Sequence, residues 1–119
     1  MKMISKDFTE ILNKEEINGE ELQLLISARE KQLVEFILVD VREKEEYEEK
    51  RIVGVDYLIP SLNFAKKREL LANAKQKTII MQCRSGIRSY HTQQTLKDLG
   101  YKSVINLKGG ILAFPGKVI

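Results

Sequence analysis

The chain has 119 residues, 43% of them hydrophobic and 31% charged, with one cysteine and a formal net charge of +3 from 20 Lys and Arg against 17 Asp and Glu. That length and apolar content predict one compact domain with its own core and exclude a disordered chain, and the single cysteine excludes an intramolecular disulfide framework and a Cys-rich zinc site. The small basic excess lacks the long basic face and interleaved aromatics of a nucleic-acid binder, and no apolar run of about eighteen residues or N-terminal h-region is present, so no nucleic-acid partner, no membrane span and a cytoplasmic location are predicted.

In chain order, Ser5 is read as the cap of a short helix with Phe8, Ile11 and Leu12 on one face, giving a helical appendage over residues 1–16. A short extended piece at Ile17 and a breaker at Gly19 follow, then a helix with Leu22, Leu25 and Ile26 on one side. "FILVDVRE" is a continuous apolar run, Phe36 to Val39, that ends in Asp40, Val41 and Arg42, the pattern of a parallel strand buried on both faces. "EKEEYEEKR" reads as a polar helical turn and "VDYLIP" as a short strand stopped by Pro60. "SLNFAKKRELLANA" reads as one helix capped by Ser61, with Phe64, Leu70 and Leu71 turned inward.

"TIIMQC" is a third buried strand, Thr78 to Gln82, that delivers Cys83 to its carboxyl end. A helix from about Ser89 to Leu99, with Gly100 just past its end, leads into the strand "SVINL" and a final turn "GGILAF". Strands alternating with helices predict an α/β fold with a central, mainly parallel sheet flanked by helices.

In open parallel sheets, ligands bind beyond the carboxyl ends of the strands, where Cys83 is placed. The segment Cys83, Arg84, Ser85, Gly86, Ile87, Arg88 joins strand to helix in a few residues, so its N–H groups can converge on one centre in front of a helix N-terminus. Gly86 permits the positive φ of a tight cradle, and Arg84 and Arg88 add positive charge beside it. Such surroundings lower a thiol pKa and make Cys83 a nucleophile without a histidine base. Ser85 has no adjacent base and is read as a loop residue; His91, on the following helix, is read as solvated or packing. Tyr47, Tyr57 and Phe64 are candidates for a pocket wall or for core.

The ordered set "LVDVREKEEY", "RIVGVDYLIP", "CRSGIRS", "LKDLGYKSVINLKGG" and "AFP" resembles the rhodanese-like sulfurtransferase family in its single-domain form, from about Ile17 to Pro115. The resemblance implies a rhodanese-like domain over residues 17–119 and Cys83 as the carrier of sulfur, as a persulfide. It further implies a donor such as thiosulfate and cyanide, a thiol or a protein as acceptor, with no metal or organic cofactor. The loop amides from Arg84 to Arg88 then hold the thiolate and persulfide, Arg84 and Arg88 orient the donor, and Asp40 with Arg42 support the loop.

The chain departs from the family's usual pattern at Arg51, at Phe114, and at Thr92, Gln93, Gln94 and Thr95, where small apolar residues are common. That polar stretch predicts a loosely packed helix or one whose polar groups meet a partner. Two alternatives compete. One is a non-enzymatic or sulfur-relay interaction module; the other is a cysteine-dependent phosphatase or arsenate reductase, whose oxyanion loop has five residues between Cys and Arg where this chain has four.

Overall fold

Strand pairing organises the computed structural model, which describes residues 8–119. Strands β1 (Glu16–Ile17), β2 (Ile37–Asp40), β3 (Tyr57–Leu58), β4 (Thr78–Gln82) and β5 (Ser103–Leu107) form one sheet in the order β1-β5-β4-β2-β3. Every pair of neighbours is parallel. The central strands are continuous apolar runs because both faces are covered. Leu38, Ile80 and Ile105 face one layer with Leu22, Leu25, Phe8 and Ile11. Val39, Ile79, Met81 and Val104 face the other with Phe64, Leu71, Leu96 and Tyr101. Strand alternation thus builds two cores from one sheet.

Helix α1 (Gly19–Glu30) begins at the glycine expected to break the chain, because Asn18 caps it. The Asn18 side chain accepts the Glu21 N–H at 2.8 Å and Glu21 Oε1 accepts the Asn18 N–H at 2.9 Å, a reciprocal capping box. The helical turn over residues 8–12 packs Phe8 and Ile11 into the same cluster as α1; its expected Ser5 cap lies outside the described residues. Helix α2 (Lys44–Glu49) follows β2.

Residues 61–71 depart from expectation. Instead of one helix there is a 3-10 turn at Ser61–Asn63, a single α turn, α3 (Phe64–Lys67), and another 3-10 turn at Arg68–Leu71. Pro60, not Ser61, stands at the cap of the first turn, with no side-chain capping hydrogen bond, and Leu70 is exposed. Only Phe64, Leu71 and Ala74 reach the core here, too sparse a stripe to hold a regular helix against the sheet.

Helix α4 (Ile87–Asp98) starts two residues earlier than expected, directly after Gly86. Its polar stretch is not loose where it faces the sheet, at Thr92 and Gln93. Gln93 is buried and its Nε2 donates to the carbonyls of Val104 and Glu15, each at 2.8 Å, which ties α4 to β5 and to the entry of β1. Thr92 Oγ1 donates to the Ser89 carbonyl at 3.0 Å. Satisfied amide and hydroxyl groups therefore take the place of apolar contacts. Among the described residues, no helix is long and apolar enough to cross a membrane.

Candidate active site

The register of β2 and β4 sets the Asp40 end of one strand opposite Gln82 of the other, one residue before Cys83. Both strand ends feed loops on the same edge of the sheet, so residues 43 positions apart in sequence share a site.

The loop that carries Cys83 is pinned from three sides. The Cys83 carbonyl accepts from the Ile111 N–H at 2.9 Å and from Gln82 Nε2 at 2.7 Å. The Arg84 carbonyl accepts from the Leu112 N–H at 3.2 Å. Asn106 Nδ2 donates to the Gly86 carbonyl at 3.1 Å. Gly86 has φ 102°, the left-handed turn that swings the chain into α4.

The result is a ring of donors around one sulfur. Cys83 Sγ accepts from the Gly86 N–H at 3.1 Å, the Ser89 N–H at 3.4 Å and the Ser89 hydroxyl at 3.3 Å. Burial pushes the thiol pKa up, but the Ser89 hydroxyl and the N–H groups of Ser89, Gly86 and Ser85 outweigh it and bring the pKa below its ordinary value. The cradle expected at Arg84 to Arg88 is thus made by backbone amides together with Ser89, a residue the sequence reading did not single out. Cys83 is only 1% exposed, so its sulfur lies at the floor of the cradle. Arg84, Ser85 and Ile87 are exposed on the rim.

The two arginines differ in their surroundings. Arg84 points to solvent and makes no ion pair among the described residues. Arg88 Nη1 and Nη2 grip Glu46 Oε1 and Oε2 at 2.8 and 3.0 Å, a bidentate pair across 42 positions of sequence. Hydrogen bonding from Arg88 is the main cause that holds the Glu46 carboxyl down at about 2, against the opposing effect of burial. The same carboxylate accepts the Glu43 N–H at 2.9 Å and so caps α2.

Asp40 and Arg42 form a buried pair, with Arg42 Nη2 to Asp40 Oδ2 at 2.7 Å and Arg42 Nε to Asp40 Oδ1 at 3.0 Å. The Arg42 guanidinium also donates to the carbonyls of Glu46 at 3.3 Å and Lys50 at 2.7 Å. Asp40 is thus joined to the loop through a chain of contacts, from Arg42 to the Glu46 and Lys50 carbonyls at α2 and from the Glu46 carboxylate to Arg88. Tyr47 carries the Arg51 guanidinium over its ring at 4.7 Å, and Phe64 belongs to the core. His91 is exposed, beyond the loop. Among the described residues, no three His, Cys, Asp or Glu side chains gather where a metal could be held.

A thiol ringed by N–H and O–H donors at the carboxyl edge of a parallel sheet defines a class, an α/β domain with a cysteine-centred loop whose donors favour the thiolate. The match to the rhodanese-like domain, over residues 18–117, agrees, and the chain belongs to the rhodanese-like family. It is 32% identical over 99 residues to a sulfurtransferase of Allochromatium vinosum, covering 83% of this chain and 86% of that one. It is 34% identical over 77 residues to the thiosulfate sulfurtransferase GlpE of Coxiella burnetii, covering 64% and 68%. A rhodanese-related protein from Thermoplasma volcanium superposes with a TM-score of 0.74 at 25% identity, covering 89% and 98%. Two Bacillus subtilis relatives are longer, and the match spans 62% of one and 42% of the other.

Proposed function

We propose that this chain is a sulfurtransferase that carries sulfur on Cys83. The observation that carries the reading is the ring of three donors from Gly86 and Ser89 around a buried Cys83 Sγ. In the first half-reaction the Cys83 thiolate attacks the outer sulfur of thiosulfate. The S–S bond of the donor breaks, its electron pair leaves with sulfite, and Cys83 holds a persulfide anion. In the second, cyanide or a thiolate attacks that outer sulfur and returns Cys83 as thiolate. Both resting states are monoanions, so one cradle of fixed dipoles serves both without rearrangement.

The steric argument favours sulfur over phosphoryl transfer. Donors already within 3.4 Å of Sγ form a cradle drawn in around a single sulfur, and the four residues between Cys83 and Arg88 make a loop one residue shorter than that of the cysteine-dependent phosphatases, which cradle a tetrahedral group. A donor that presents a single terminal sulfur fits that floor once the exposed Arg84–Ser85 rim gives way.

Delivery to a protein acceptor is favoured as the second step. Ile87 is 67% exposed within the loop, and Leu112, 63% exposed, follows the residue bonded to the Cys83 carbonyl. Two apolar side chains on the rim suit contact with a protein surface better than with a small anion. We place the reaction in the cytoplasm, where an unpaired thiol stays reduced.

Mass spectrometry after exposure to thiosulfate tests the reading. One added sulfur on the wild-type chain and none on Cys83→Ser is expected. No added sulfur from thiosulfate or from a small persulfide, with phosphatase activity that depends on Cys83, overturns it.

A further inference from the structure

The rim of the site is less cationic than its sequence suggests. Of the two arginines in the loop, Arg88 is engaged end-on by Glu46 at 2.8 and 3.0 Å, with both side chains about one-third exposed (35% and 31%). Nor is Glu46 a chance surface neighbour. It occupies the third position of α2, its Oε1 accepts the Glu43 N–H, and its backbone carbonyl is held by Arg42, itself locked to the buried Asp40. A glutamate held at its carboxylate by the Glu43 N–H and at its backbone by Arg42 is presented to Arg88 rather than finding it.

The charge balance follows. Asp40 cancels Arg42 and Glu46 cancels Arg88, which leaves Arg84, exposed on the rim, as the loop cation without an ion pair among the described residues. A donor that approaches as a dianion brings two negative charges to a thiolate, with one exposed and screened cation to meet them. A persulfide brings one negative charge at most to its reacting sulfur, and in its protonated form none.

We propose that Glu46 is a specificity-determining residue which, by neutralising Arg88 beside the cradle, sets Cys83 to take sulfur from organic persulfides in preference to dianionic donors such as thiosulfate. The inference rests on the sulfurtransferase reading and names its donor class. The step balances: the Cys83 thiolate attacks the outer sulfur of RSSH, the S–S bond breaks with its electron pair on the departing RS⁻, and Cys83 becomes the protonated persulfide.

The test compares the second-order rate of sulfur loading on Cys83, read by mass spectrometry, from thiosulfate and from cysteine persulfide. Glu46→Gln keeps an oxygen to accept the Glu43 N–H but releases the charge of Arg88. It is expected to raise the thiosulfate rate on the order of tenfold and to steepen its fall with added salt, while the persulfide rate changes less than about threefold. The double variant E46Q/R88Q, with both charges gone, returns the ratio of the two rates to the wild-type value. An unchanged ratio in E46Q, an equal gain for both donors, or a double variant that keeps the altered ratio overturns the inference. Should E46Q not fold, the double variant with R88Q alone decides it: R88Q bares Glu46 and must depress thiosulfate loading more than persulfide loading. Failure of the wild type to load from either donor defeats the sulfurtransferase reading itself, a result distinct from an unaltered ratio.

Discussion

The Ser89 hydroxyl lies 3.3 Å from the Cys83 sulfur, and the N–H of the same residue approaches it at 3.4 Å, so one residue in the first turn of α4 makes two hydrogen bonds to that sulfur where Gly86 makes one. Ser89 is itself fully buried, and its carbonyl receives the Thr92 hydroxyl. Hydrogen bonds to an anion from inside a protein are stronger than those from mobile water, since the donors are already oriented when the charge forms.

Ser89→Ala removes the hydroxyl donor and keeps the backbone one. The bond favours the thiolate, so its loss raises the Cys83 pKa and shrinks the thiolate fraction at any pH below it. A hydrogen bond to a charged group contributes about 1.5–3 kcal/mol, and loading at neutral pH is expected to slow on the order of tenfold. The pH profile of iodoacetamide alkylation is expected to move to higher pH; an unmoved profile would show that the backbone amides alone set the thiolate.

The sequence makes the frame of the site legible and hides its fittings. The runs ending at Asp40 and Gln82 read as buried parallel strands because sheets covered on both faces need continuous apolar residues, and that reading places Cys83 at a carboxyl edge. Gly86 is legible too, since a tight turn into a helix favours positive φ. Glu46 carries no such signal: its partner lies 42 positions away, and within "EKEEYEEK" one glutamate looks like another until the sheet brings α2 against α4. Ser89 looks like an ordinary helix residue because its role depends on which way the first turn faces. The expected helix over 61–74 failed for a different reason: Phe64, Leu71 and Ala74 keep a helical spacing, but no apolar residue between Phe64 and Leu71 packs inward to hold a regular helix against the sheet.

The buried pair of Asp40 and Arg42 is expected to dominate stability on this edge. Arg42→Ala leaves the Asp40 carboxylate buried without its partner and frees two carbonyls that it holds, those of Glu46 and Lys50. Breaking a buried pair from one side costs about 3–5 kcal/mol. Urea denaturation reads this directly, and a loss under 1 kcal/mol would mean that water reaches and solvates Asp40.

Acid should expose the Glu46 contribution. Its carboxyl sits at about 2 when folded against an ordinary value of 4.5, so the folded state binds this proton less readily than the unfolded chain. The resulting stability is fully present above pH 4.5, declines as the pH falls toward 2, and is absent below. Because both partners are about one-third exposed, solvent screening reduces the contribution to about 1 kcal/mol. Thermal unfolding of wild type and E46Q is therefore expected to differ by that amount at pH 6 and to converge near pH 2; a constant gap across the range would assign it to something other than this titration.

Gly110 lies outside the Cys83 loop yet controls its position. It has φ 57° and ψ −156°, and a Cβ placed there would lie 2.3 Å from the Arg84 carbonyl oxygen and 2.4 Å from that of Cys83. The conformation is one that glycine alone adopts easily, at about 1–3 kcal/mol for other residues. Gly110→Ala must therefore shift the backbone on which Gly86 and Ser89 are aimed at the sulfur. A displacement of ~1 Å at a reacting centre costs on the order of a hundredfold in rate. Sulfur loading on Cys83 is expected to fall by about that factor, while circular dichroism still reports the sheet and helices. Loading at the wild-type rate would mean that the segment after β5 covers the loop without positioning it.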